Sequence, residues 1–438
     1  MISGTGSREG HLRRRPVLRW RTRPAELFLL GVAAALAVAC QVALSLASGA
    51  AATSELSAAV ALVASFVTLH LVLSWRGSRA DQVILPTLLA LMSVGLAFGQ
   101  RLAPALATRH FAWLILGVAV AGFFAVGPIG LRLLRRYRYT WAIIGVVLVA
   151  ATLVLGRGPA PNAPRLWLGV GRWQFQPSEV LKLLLVVFLA GYLADRGALL
   201  RGTSTRLGRV RVPPLPYLAP LAVMLGASLV LLAAQRDLGA ALLLYAIGVG
   251  MLYLASGKGS YVVAGLVAFA IGAWALQGHV DVVSVRTAVW RDPWADASGA
   301  GYQLVQSTMA LGAGGVLGTG LGEGQPTAIP AVHTDFVYAA VVEELGLAGS
   351  SALLGLYALL YLRGWMVAMR ARDAYAGYLS AGLTMALWIQ TVVIVGGILR
   401  LFPMTGITLP FLAYGGTSMI TSSAAAGLLV RVSARGTR

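Results

Sequence analysis

Charge is what this sequence has least of. Only 11% of its 438 residues are Asp, Glu, Lys or Arg, whereas about a quarter of a soluble domain is charged. Such a chain cannot clothe a water-facing surface. A soluble globular protein, a nucleic-acid-binding one included, is therefore excluded despite the net charge of +20. One cysteine, Cys40, excludes an internal disulfide and leaves the redox compartment open. No G-x-x-x-x-G-K-[ST] run occurs, and the glycines from Gly312 to Gly324 lack the lysine and strand of a phosphate loop. Chemistry coupled to a cytoplasmic nucleotide is not expected, and those glycines read as turns and close packing. Long stretches of alternating polarity are also missing, which excludes a strand barrel.

What is present is apolar. Hydrophobic residues make up 58% of the chain, the mean hydropathy is +0.79, and the apolar residues fall in blocks long enough to cross a bilayer as helices. The fold class is an all-α polytopic membrane protein. Twelve candidate spans run approximately Leu27–Ala47, Leu56–Trp75, Val83–Phe98, Phe111–Gly127, Thr140–Leu155, Ser178–Leu193, Tyr217–Ala234, Leu238–Ala255, Tyr261–Leu276, Asp335–Tyr361, Tyr378–Leu399 and Thr408–Val430. With a cytoplasmic N-terminus, 25 Lys and Arg fall in inside segments and 9 in outside loops, with Lys182 inside a span. That is the segregation the positive-inside rule predicts, and losing one span would scramble it. Arg13, Arg14 and Arg15, with Arg19, Arg21 and Arg23, precede an apolar stretch longer than a usual signal-peptide core, so a retained anchor is expected. The organisation is then a basic N-terminal segment (1–26), a two-helix hairpin (27–80), a core (81–432) with an outer loop at 277–334, and a tail (433–438).

Acids on the inside are confined to Glu9, Glu26, Asp81, Asp195 and Asp373, so a polar site is expected at the outer face. Four constellations supply it. Arg165-Leu166-Trp167 precedes Gln176-Pro177-Ser178-Glu179, where proline and serine set a helix start. Glu179 and Lys182, three apart, share a helix face. They read either as a self-satisfying ion pair or as the wall of an anion site, and an intramembrane ionisable residue defaults to function. Gln235-Arg236-Asp237 is a charged turn between two spans, as readily structural as a grip for pyrophosphate oxygens. In the outer loop, Asp292 and Asp296 compete as a general base. Beyond them Gln303, Gln306, Ser307 and Ala310 recur at helical spacing as the amide-rich face of a short amphipathic helix, with Leu304, Val305, Thr308, Met309 and Leu311 opposite. Finally come His333, Asp335, Glu343 and Glu344, whose spacing matches no standard metal motif. Pro403–Gly406 and Leu409–Ser418, including Thr417 and Ser418, interrupt the last span as a helix broken beside a cavity would.

Several of these motifs, taken in order, resemble one family. Gln-Pro-Ser-Glu-x-x-Lys at 176–182, Gln-x-Asp-Leu-Gly at 235–239 and Asp-x-x-Gly-x-Gly-Tyr-Gln at 296–303 are three of them. His-Thr-Asp-Phe at 333–336, Glu-Glu-Leu-Gly at 343–346 and Leu-Pro-Phe-x-x-Tyr-Gly-Gly-Thr-Ser at 409–418 complete the set. Together they are similar to the SEDS proteins of shape, elongation, division and sporulation, the relatives of RodA, FtsW and SpoVE, over roughly 81–432.

The resemblance implies an inverting peptidoglycan glycosyltransferase that polymerises lipid II at the outer leaflet. It also implies a class B penicillin-binding protein as transpeptidase partner, within elongation or division complexes. It favours Asp296 over Asp292 as the essential carboxylate, and Trp167, Glu179, Lys182 and Asp237 as cavity residues. Arg165, Gln235, Arg236, Gln303, Gln306, Ser307, His333, Asp335, Glu343, Glu344, Thr417 and Ser418 are expected along the substrate path. Leaving-group charge would fall to Lys182, Arg236 or a divalent cation (Mg2+ or Mn2+). Three positions depart from the family's usual residues: Ala297 and Arg236, where proline is common, and Ala413, where serine is. Typical members have ten spans, so the first two here are an addition. A precursor flippase using Glu179, Lys182, Glu343 and Glu344, or a non-catalytic scaffold, are the rival readings.

Overall fold

The structure, a computed structural model, describes residues 21–49, 53–158, 164–171, 173–202, 205–207, 210–212, 215–277 and 281–436. The basic run at 13–15, Arg19 and Arg172 lie outside the described residues. Among the described residues fifteen α-helices follow one another: α1 Pro24–Ser48, α2 Thr53–Trp75, α3 Ile84–Leu102, α4 Ala107–Val126, α5 Leu131–Arg136, α6 Arg138–Leu155, α7 Pro177–Gly202, α8 Leu215–Ala234, α9 Leu238–Ser256, α10 Ser260–Gln277, α11 Asp281–Arg291, α12 Tyr302–Gly314, α13 Val337–Met369, α14 Ala374–Ile398 and α15 Gly416–Gly436. Two small antiparallel hairpins complete it, β1 Leu168–Val170 with β2 Trp173–Phe175, and β3 Thr205–Leu207 with β4 Val210–Val212.

Each of the twelve apolar blocks holds a helix. Among the described residues, nine helices are long and apolar enough to cross a membrane, and α8 and α10 contribute shorter apolar stretches. The chain is a multi-pass membrane protein. Helix α15 is less apolar because its serines and threonines are buried among other helices and do not face lipid. It begins at Gly416, eight residues later than the apolar run suggests. Pro410 has no N–H to donate and Phe411 sits at φ 64°, so the segment before it cannot be helical.

Helices α3, α7 and α14 form the centre, buried on nearly every face, while α1, α2 and α6 expose an outward stripe of large apolar side chains. The N-terminal hairpin is docked on the core. Leu30, Ala33, Ala37, Gln41 and Leu44 recur every three or four residues along the buried face of α1, which packs on α3. Its base is pinned by Glu26, which pairs with Arg23 and lies 2.6 Å from His70 Nδ1. The Glu26 N–H also donates to Gln82 Oε1 at 3.2 Å.

Small residues set the close helix contacts. Helix α15 lies against α4 so tightly that a Cβ on Gly427 would fall 2.3 Å from the Ala121 carbonyl oxygen. In hydrocarbon such packing, and not expulsion of water, holds helices together. Gly427→Ala is therefore expected to lower the melting midpoint in detergent by an amount equivalent to about 1–3 kcal/mol of overpacking. Gly312→Ala, with nothing within 4 Å of the added methyl, should leave the midpoint unchanged.

Candidate active site

Helix α7 starts where the sequence says it should. Pro177 occupies the first turn, whose N–H has no partner to lose. The preceding Gln176 is anchored through its own N–H to Thr417 Oγ1 at 3.0 Å. One turn in, Lys182 Nζ donates to Glu179 Oε2 at 2.7 Å and to Gln390 Oε1 of α14 at 2.6 Å. Glu179 also accepts from Thr421 Oγ1 of α15 at 3.1 Å, and Gln390 Nε2 donates to the Thr408 carbonyl at 2.7 Å. Lys182 and Glu179 are only 5% and 8% exposed, so a lone charge here would be prohibitive and the pairing is what makes the burial possible. Asp237 caps α9 through the Ala240 N–H at 3.1 Å and accepts from Ser178 Oγ at 3.0 Å and Gln176 Nε2 at 3.3 Å. The starts of α7 and α9 thus meet at a small cleft walled by Glu179, Lys182 and the 406–408 backbone.

A second, larger cleft shares Gly406 with the first. Arg286 of α11, Gln303 of α12, Ala300 and Asp335 line it. Arg286 Nη1 donates to the Thr405 carbonyl at 3.2 Å. Burial pushes the Asp335 carboxyl above its usual range, opposed by Thr334 and by the Arg286 charge. The neighbouring His333 imidazole is pushed below its usual range, again by burial.

Asp296 lines neither cleft, but its turn leads into Ala300, which lines the second. It ends a 3₁₀ turn, Pro293–Asp296, whose cap is Asp292, bonded to the Trp294 N–H at 3.0 Å. The Asp296 Oδ2 accepts from the Ala300 N–H at 2.8 Å, which folds the carboxylate back over the following turn. Backbone crowding requires glycine at 301, while a side chain at 299 would turn the carboxylate of Asp296 away. A Cβ on Gly299 would sit 2.4 Å from Asp296 Oδ2, and one on Gly301 would sit 2.0 Å from the Pro293 carbonyl oxygen. The Gly-x-Gly spacing after the aspartate therefore holds an exposed carboxylate in one orientation.

Other expected residues lie elsewhere. Gln235 is buried and turns to α6, donating to the Val149 carbonyl and Thr152. Arg236, at φ 60°, is exposed, and neither cleft is lined by it. Arg165 is exposed, and Trp167 pairs its backbone with Arg157 beside β1. Glu343 and Glu344 hold a glycine-rich loop. Glu343 accepts from the Gln325 N–H, and Glu344 accepts from the Gly322 N–H and from Arg101 of α3.

The amide-rich face assigned to α12 needs correcting. Ser307 is fully buried, as are Ala310 and Gly314, while Met309 is exposed. That stripe of small residues is the seam against α13, where a Cβ on Gly314 would fall 2.0 Å from the Val342 carbonyl. Gln303 remains exposed at the cleft and Gln306 is half-buried. Thr417 and Ser418 start α15, the latter 3.5 Å from Gln390. Among the described residues no three His, Cys, Asp or Glu come close enough to hold a metal ion between them. Sequence reasoning missed Gln390, an amide alone in an apolar span, and Arg286, which was read only as loop charge.

Comparison with known proteins follows this geometry. The model of the FtsW, RodA and SpoVE family, described as cell cycle protein, matches residues 82–438. The chain belongs to that family. The peptidoglycan glycosyltransferase RodA of Mycobacterium tuberculosis is 34% identical over 386 residues, covering 85% of this chain and 82% of the relative. The probable peptidoglycan glycosyltransferase FtsW of Geobacter sulfurreducens is 33% identical over 370 residues, covering 82% and 96%. Among solved structures, this SEDS chain superposes with TM-score 0.68 and 28% identity on one from a study of polymerization and crosslinking by a peptidoglycan synthase complex, covering 82% of this chain and 98% of that one. It superposes with TM-score 0.59 and 27% identity on the rod shape determining protein RodA of Thermus thermophilus, covering 81% and 96%. The family match begins at residue 82, so the α1–α2 hairpin lies outside it.

The Glu179–Lys182 pair makes a stability prediction. Lys182→Met alone strands a buried carboxylate and should cost about 3–5 kcal/mol. The double variant Lys182→Met/Glu179→Leu should recover most of that loss. A double-mutant cycle of detergent melting midpoints measures the coupling, and additivity of the two single effects would contradict the pairing.

Proposed function

We propose that this chain is an inverting peptidoglycan glycosyltransferase that polymerises lipid II at the outer face of the cytoplasmic membrane. The observation that carries this reading is the Asp296 carboxylate, held by two glycines and by Ala300, which lines a polar cleft. Asp296 takes the proton from the GlcNAc 4-hydroxyl of the acceptor. The freed oxygen attacks the MurNAc anomeric carbon of the donor, and the bond from that carbon to the pyrophosphate oxygen breaks. Attack opposite the leaving group turns the α-linked donor into a β-1,4 glycan. The undecaprenyl pyrophosphate departs with the bonding pair, so no nucleotide sugar is required. A base at the attacking hydroxyl is worth about two to four orders of magnitude.

The distribution of arginine supports cytoplasmic termini and an outward site. A class B penicillin-binding protein is the expected transpeptidase, in keeping with the synthase complex that supplies a structural neighbour. The carboxylates of Glu343 and Glu344 are engaged with the glycine-rich loop and Arg101, which takes from the flippase reading two of the four charges it relies on.

Asp296→Asn keeps the shape and removes the base, so glycan polymer on a gel should fall by at least about 100-fold. Gly299→Ala, which pushes the carboxylate aside, should fall by about 10-fold or more while the protein remains folded. An Asp296→Asn enzyme of near wild-type rate would refute the base assignment.

A further inference from the structure

The reaction needs two lipid-linked substrates, and the structure offers two polar clefts meeting at Gly406, each with one cation. The two cations differ in what already neutralises them. The Lys182 ammonium is bonded to the Glu179 carboxylate at 2.7 Å and to the Gln390 amide oxygen at 2.6 Å. Arg286 is different: among the described residues no carboxylate oxygen lies within 4 Å of its guanidinium. Its guanidinium donates to a backbone carbonyl, that of Thr405, while Asp335 and Asp237 attract it from farther away. One terminal nitrogen, Nη2, points at Gly406, 3.5 Å from where a Cβ would stand.

Chemistry decides which cleft takes which substrate. This step rests on the glycosyltransferase reading with Asp296 as base. The carbon attacked by the activated hydroxyl is the same carbon that carries the donor pyrophosphate, so base and leaving-group clamp must lie within a few ångströms of one reacting centre. The acceptor's own pyrophosphate lies a disaccharide away from its reacting hydroxyl. Asp296 bonds Ala300, and Ala300 lines the cleft of Arg286. Only the leaving group gains charge in the transition state. It is therefore served by an un-neutralised, bidentate guanidinium, while a neutral Lys–Glu wall suits a pyrophosphate whose charge does not change.

We infer that Arg286 faces the pyrophosphate of the donor, and that the Glu179–Lys182 cleft holds the pyrophosphate end of the acceptor. Arg286 is then a catalytic residue, and Lys182 and Glu179 are acceptor-binding ones.

The test separates the two substrates. One lipid II analogue has the GlcNAc 4-hydroxyl replaced by hydrogen and serves only as donor. Another has the anomeric oxygen replaced by methylene and serves only as acceptor. Their single coupling is followed with the purified full chain and a transpeptidase-dead partner. Arg286→Gln should lower kcat/KM for the donor by about 100-fold while the acceptor KM stays within about threefold. Arg286→Lys, which keeps charge but loses the bidentate grip, should fall between and guards against a Gln variant that fails to fold. An unchanged donor kcat/KM in folded Arg286→Gln, or a shift confined to the acceptor KM, would overturn the assignment and leave the glycosyltransferase reading intact. Absence of coupling by the wild type would overturn both.

Discussion

The ammonium of Lys182 is the constraint around which the core is arranged. A charge at that depth cannot be left without partners, and its partners come from three directions in the chain. Glu179 is supplied by its own helix, Gln390 by α14, and Thr421 of α15 secures the carboxylate from the other side. Satisfying one buried charge thereby fixes the relative positions of three helices. The same Gln390 amide also satisfies the Thr408 carbonyl, so the non-helical segment ahead of α15 is tolerated where an unpaired backbone group would be costly. The broken segment then brings Thr405 and Gly406 to the boundary between the two clefts.

The proposed role of Asp296 as base sets a second constraint, in the segment between α11 and α12. A general base must be accessible to substrate yet held in one orientation, and those demands conflict for a carboxylate on a surface turn. Here glycine resolves the conflict. The turn from Gly299 to Gly301 closes beneath Asp296 because neither residue carries a Cβ, and the Ala300 N–H then fixes one carboxylate oxygen. The remaining oxygen is available for a proton. Holding the carboxylate on the turn, and the guanidinium on the helix just before it, places both groups along one short stretch of chain from α11 to the start of α12.

Much of this was legible in the sequence because it depends on local rules. Apolar block length located the helices, and the three-residue spacing of Glu179 and Lys182 put them on one face. What escaped was set by distant partners. Nothing local shows that Gln390 meets a lysine 208 positions earlier. The periodicity of α12 identified a stripe at 303, 306, 307 and 310 but could not say that its small residues are the packing seam against α13, which buries Ser307. Glu343 and Glu344 gave no local sign of their partners, which are backbone N–H groups of a loop about twenty residues away and, for Glu344, the distant Arg101. Arg286 sat among charges that topology alone accounted for, and only the fold brings it beside Asp335 and Gly406.

The account rests on the chain being a polymerase, and the most direct measurement is whether the purified protein, with a transpeptidase-dead class B penicillin-binding protein, converts lipid II into glycan. The predicted result is a ladder of strands that a muramidase specific for β-1,4 linkages digests completely. No glycan from a demonstrated complex, together with movement of intact lipid II across liposomes holding the protein alone, would contradict the account and make the chain a transporter.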